Sequence, residues 1–138
     1  VMKLFKYVIT ITFSLVSFIS TAEVSVIVNS ANNNDISAGQ IKKIFLGKSK
    51  SFADGNKVEV FSLADGSNDT QVFRLNALSK SNSQYKSYWA KLAFTGKGTP
   101  PKSISDSEMI STVKSNSNAI GFINSDKVTG DVKVIATF

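Results

Sequence analysis

Along this chain, short apolar runs rich in β-branched residues alternate with stretches whose apolar positions recur every three or four residues. The first pattern belongs to strands and the second to helices. Residues 24–28 form a β-branched run that reads as a buried strand. After a polar loop, Ser37 and Gln40 stand at capping-box spacing ahead of Ile41, Ile44 and Phe45, which opens a helix. Gly47 suits the position just past its end. The turn residues Asp54, Gly55 and Asn56 precede an alternating run over residues 57–63, a strand with Val58, Val60 and Ser62 on one face. A second helix is expected from about residue 69 to residue 79, with Val72, Phe73, Leu75 and Ala77 forming its inward side. Ser83 is expected to cap a third, whose stripe is Tyr85, Tyr88, Trp89, Leu92 and Ala93. A loop over residues 94–101 follows, stiffened by two prolines. Ser105 and Glu108 repeat the capping-box spacing before Met109, Ile110 and Val113. Residues 119–123 read as a strand after the Asn116-Ser117-Asn118 break. Thr129-Gly130-Asp131 then turns into a last strand over residues 132–136.

The order β-α-β-α-α-α-β-β predicts an α/β fold, a mixed β-sheet flanked by helices. In such folds ligands lie beyond strand C-termini, at helix N-termini. Asp65, Gly66, Ser67, Asn68, Asp69 and Thr70 occupy that position, between the second strand and the second helix. A loop of small polar residues at a helix start presents unpaired amide N–H groups. With the helix dipole these make an anion site, so these six are the candidate ligand-binding residues.

The first 22 residues have a different character. Lys3 and Lys6 precede an apolar run over residues 7–19, and Ser20-Thr21-Ala22 supplies small residues for cleavage before Glu23. This is the pattern of an export signal. The run is shorter than the roughly 20 apolar residues of a spanning helix, so a retained anchor is the lesser alternative. The expectation is a periplasmic protein of one domain, residues 23–138, with no transmembrane segment once the signal is removed.

Composition removes several function classes. The chain has no cysteine and no histidine, which takes away disulfides, the commonest metal ligands and the usual hydrolase bases and nucleophiles. No enzyme, cofactor or metal centre is expected. The net charge of +6 comes from scattered lysines and a single arginine, Arg74. Nucleic-acid recognition favours arginine forks and clustered charge, so nucleic acid is not expected as a partner. Asp65 and Asp69 are too few for a calcium site or an acid–base pair. Arg74, one turn beyond Thr70, is read as an exposed helix residue, the alternative being a reach back to the loop.

Three blocks carry a family resemblance. Residues 41–48 (Ile-Lys-Lys-Ile-Phe-Leu-Gly-Lys) resemble a helix ending in an Ile-Phe-Leu-Gly-Lys-type motif. The stretch from Asp65 to Phe73 resembles the oxyanion loop Arg-x-Asp-Gly-Ser-Gly-Thr-x-x-x-Phe, and residues 118–123 (Asn-Ala-Ile-Gly-Phe-Ile) resemble a Gly-Ala-Ile-Gly-Tyr-type strand. In this order they resemble the phosphate-binding proteins of ABC importers, and the chain looks like a short, single-lobe relative of that family. The resemblance implies one lobe of a type II periplasmic-binding-protein fold, phosphate or a similar oxyanion as ligand, and an ABC-transporter or envelope protein as partner. It places Asp65 where the family accepts a proton from phosphate, and Gly66 and Ser67 match. The family glycine is here Asn68, its threonine Asp69 (with Thr70 one residue on), and its arginine Leu63. Losing a charged hydrogen bond costs about 1.5–3 kcal/mol, and the Asp69 carboxylate repels an anion. Phosphate binding is therefore expected to be weak, about millimolar. The other expectation is a protein-interaction module that kept the fold and lost the ligand.

Overall fold

The computed structural model describes residues 23–138. The expected signal, residues 1–22, lies outside the described residues. The elements are β1 (Val24–Asn29), α1 (Ala38–Phe45), β2 (Glu59–Ser62), α2 (Asn68–Ala77), α3 (Asn82–Phe94), β3 (Lys102–Ser103), α4 (Asp106–Ser115), β4 (Ala119–Asn124) and β5 (Val132–Thr137). One mixed sheet runs in the order β3-β2-β4-β1-β5. β2 is parallel to both β3 and β4, whereas β1 is antiparallel to β4 and β5. This is the α/β architecture that the element order predicts.

Helices cover both faces, because alternate residues of the central strands meet different partners. Phe122 of β4 stacks on Phe73 of α2, ring centroids 4.0 Å apart, and Phe45 of α1 meets Phe73 edge-on at 4.7 Å. On the other face Gly121 faces α4 so closely that an added Cβ would stand 2.5 Å from the Met109 sulfur. Asn29, at the end of β1, donates to the carbonyls of Val113 and Lys114 at 2.9 Å and so ties down the C-terminus of α4. β1 is buried along its whole length.

The differences from the expected elements are local. The strand expected over residues 57–63 is regular only over Glu59–Ser62, and Phe61 and Leu63 are buried as well as Val58 and Ser62. Toward its C-terminal end the strand lies between two others and is buried on both faces, so strict alternation fails there, while Glu59 stays exposed. Ser81, not Ser83, caps α3. Its hydroxyl accepts from the Gln84 amide, and the Gln84 side chain returns the bond to the Ser81 amide. Ser105 precedes α4 without capping it, because its hydroxyl pairs with that of Ser107 at 3.0 Å. β3, two residues long, has no period to show in the sequence. It exists because Phe61 and Ser62 leave an edge for Lys102 and Ser103 to pair with.

α3 is locked to the rest by its aromatic stripe. Tyr85 and Trp89 are buried, and Tyr88 donates its hydroxyl to the Leu46 carbonyl at 2.5 Å. Gly47 adopts φ +71°, and an added Cβ there would come within 2.9 Å of the Trp89 ring. Both constraints call for glycine.

The aromatic stack sets a testable expectation. Phe73→Ala should lower unfolding free energy by about 3–5 kcal/mol in urea denaturation, through lost burial and the cavity left behind. Leu75→Ala, on the half-exposed side of the same helix, should change it by under about 0.5 kcal/mol.

Candidate functional site

β2 and β4 run parallel, so their C-terminal ends and the loops that follow them lie at the same edge of the sheet. The β2 loop leads into α2. Ser67 is the N-cap of α2, in extended backbone (φ −71°, ψ 138°), and its hydroxyl oxygen accepts from the Thr70 amide at 3.3 Å. The Ser67 hydroxyl keeps its own proton free to donate. Among the described residues, the amides of Asn68 and Asp69 reach no acceptor. Gly66 and Asn68 are exposed, and Ser67 and Asp69 half-buried. The loop thus presents two bare amides and a hydroxyl at the positive end of a helix, the arrangement that favours an anion.

Three of the candidate residues are occupied elsewhere. Thr70 is fully buried, and its hydroxyl donates to the Ala64 carbonyl at 2.8 Å, which pins the loop. Asp69 accepts from the Asn124 side chain at 3.1 Å, joining the α2 N-terminus to the end of β4. Asp65 pairs with Arg74 at 2.5 Å.

Arg74 corrects a sequence expectation. It is not an exposed helix residue but is 2% exposed. It does reach back to the loop. Nη2 donates to Asp65 Oδ1, Nη1 donates to Asn82 Oδ1 at 3.1 Å, and the guanidinium lies 3.9 Å from the Tyr85 ring centroid. Burying an arginine requires such partners. Burial also pushes the Tyr85 phenol above its ordinary pKa, opposed first by the charge of Arg74.

A cation that sequence reasoning passed over lies near Asp69. Lys127, in the short 3₁₀ turn after β4, pairs with Asp106 in the first turn of α4. The hydrogen bond and charge of Asp106 hold its pKa above the ordinary lysine value, with a smaller contribution from Asp69. So α2, α4 and the end of β4 converge there, with Asp69, Asp106, Asn124 and Lys127 as neighbours. The available signal was the Asn124-Ser125-Asp126 turn following a buried strand, at the same sheet edge as the Ser67 loop.

The Arg74 cluster yields a second expectation. Asp65→Ala leaves a buried cation with one partner fewer and should destabilise the fold by about 1–3 kcal/mol in thermal or urea unfolding. Asp126→Ala, removing an exposed carboxylate, should shift it by under about 0.5 kcal/mol.

No protein-family model matches the chain, and no curated protein matches it either. Solved structures do. A Clostridium perfringens structure, described as a phosphate ABC transporter substrate-binding protein with bound phosphate, matches at TM-score 0.62 and 22% identity, covering 83% of this chain and 45% of the other. PstS from Borrelia burgdorferi matches at 0.60 and 12% identity, over 83% of this chain and 47% of the other. An ABC-type phosphate transport receptor from Vibrio cholerae matches at 0.54 and 20%, over 83% and 46%. The chain spans less than half the length of these proteins. Its mixed five-stranded sheet and flanking helices are thus the fold of part of a phosphate ABC transporter substrate-binding protein.

Proposed function

We propose that the protein is an exported, solute-binding-like lobe that takes phosphate or a similar oxyanion weakly at the N-terminus of α2. The observation that carries this reading is the pair of bare amides at Asn68 and Asp69 beside the Ser67 hydroxyl. They lie at a sheet edge where α/β folds place ligands. The fold shared with phosphate-binding components of ABC importers supports the same reading. In this reading the amides of Asn68 and Asp69 and the hydroxyl of Ser67 donate to the anion's oxygens, with the positive end of the α2 dipole behind them. The Asp69 carboxylate works against binding, and Leu63 is buried where a charged fork would have helped. Nothing in this chemistry breaks a bond: the site binds and releases, and the protein is not an enzyme. Residues 1–22 are its export signal and the periplasm its location. Among the described residues no helix is long and apolar enough to cross a membrane.

Docking to an envelope protein is the second reading. Phe94, 94% exposed at the end of α3, is the observation that favours it.

Calorimetric titration with phosphate at low ionic strength, with sulfate as the control, tests the first reading. We expect saturable binding with a dissociation constant of about a millimolar. Ser67→Ala should weaken it about tenfold, and Asp69→Asn should tighten it by a similar factor. No heat up to about 50 mM phosphate overturns the oxyanion reading and leaves the docking one.

A further inference from the structure

A concavity lies beside the start of the β2–α2 loop, at Ala64 and Asp65. It is a cleft of about 530 Å³ between α3 and the Pro100–Pro101 segment. This is the size of a small-molecule site. Its walls are mainly apolar, with Leu63, Tyr85, Trp89, Ala93 and the two prolines facing the space. The polar groups are few and different in kind from those of the Ser67 loop. Arg74 and Asp65 stand at one end, and Lys86 lies exposed on the same helix face.

One of these groups has unmet chemistry: Lys86 pairs with no carboxylate among the described residues. Trp89 contributes its ring to the wall, while its indole N–H is shut off from solvent near the Tyr85 phenol. Arg74 and Lys86 are the cleft's cations, and Asp65 is its one carboxylate. The ligand that answers them is apolar over most of its surface and carries acceptor oxygens with negative charge at one end.

We infer that this cleft binds a ligand made of an apolar, preferably aromatic, group and a carboxylate. The apolar group lies against Tyr85, Trp89 and Pro101, and the carboxylate faces Lys86 and Arg74. Asp65, whose side chain is 65% exposed on the Arg74 guanidinium, is the resident competitor for that charge. The chemistry fits a free aryl-alkanoic acid or the C-terminal residue of a peptide. The inference does not depend on phosphate binding at Ser67, because the two sites use different donors.

Trp89 is the only tryptophan in the chain, so its fluorescence reports on the cleft directly. Titrating the protein with hydrocinnamate should give a saturable change in emission. Hydrocinnamyl alcohol, which has the ring without the charge, and acetate, which has the charge without the ring, should each bind about tenfold more weakly or less. Lys86→Gln should weaken hydrocinnamate binding, Asp65→Asn should strengthen it, and Ser67→Ala should leave it unchanged. A short peptide ending in phenylalanine, compared with its C-terminal amide, identifies the source of the ligand. Binding of the peptide acid but not the amide assigns a chain terminus, and binding of hydrocinnamate alone assigns a free acid. No saturable change with hydrocinnamate or either peptide, or equal affinity for acid and alcohol, overturns the inference. A loss of phosphate binding in Ser67→Ala with hydrocinnamate binding intact shows the two sites to be separate.

Discussion

Arg74 is a charge taken out of water, and three segments of the chain must stay in place to compensate it. Asp65 comes from the β2–α2 loop, Asn82 from the first turn of α3, and the Tyr85 ring from the turn after that. A buried guanidinium without its partners is strongly unfavourable. The cluster therefore fixes the direction in which α3 leaves α2, and with it the position of Trp89 against Gly47 and the prolines. Asp65 meets the buried guanidinium from the exposed loop, and the amides of Asn68 and Asp69 that follow have no acceptor among the described residues.

One loop consequently separates two surfaces of opposite character. On one side are the bare amides and the hydroxyl where we propose that a small hydrated anion binds. On the other is a mostly apolar cleft with a fixed cation at its end. Asp65 is the hinge of this arrangement in an electrostatic sense. Its carboxylate partly neutralises Arg74 on the cleft side. In the family that the loop resembles, an arginine stands at the position of Leu63. Here that side chain is buried and apolar, and Arg74, two turns into the sheltered side of α2, is the arginine that meets the loop's aspartate.

Much of this was legible in the sequence because it rests on local rules. The period of three and four placed α1, α3 and α4, Ser37 announced its helix, and the Asp-Gly-Ser loop pointed to the α2 N-terminus, although Leu75, expected on the inward side of α2, is exposed. What could not be read depends on pairs distant along the chain. Ser81 and Ser83 both look like caps, and only the return bond from Gln84 selects between them. Lys102 and Ser103 are a strand solely because β2 offers an edge. Arg74 lies next to the inward-facing Phe73 and looks like a solvated residue until Asn82 and Tyr85 fold back over it. Lys127 gains its place at the site from the parallel pairing of β2 and β4, which no local pattern encodes.

The two-residue length of β3 has a meaning beyond topology. It is the outermost strand on its side of the sheet, and an outermost strand with bare backbone groups is a template on which other chains can add themselves. Here that rim is kept short, carries Lys102 and is preceded by Pro100 and Pro101, which cannot donate to a neighbouring strand. This rim of the sheet is thereby guarded against edge-to-edge polymerisation.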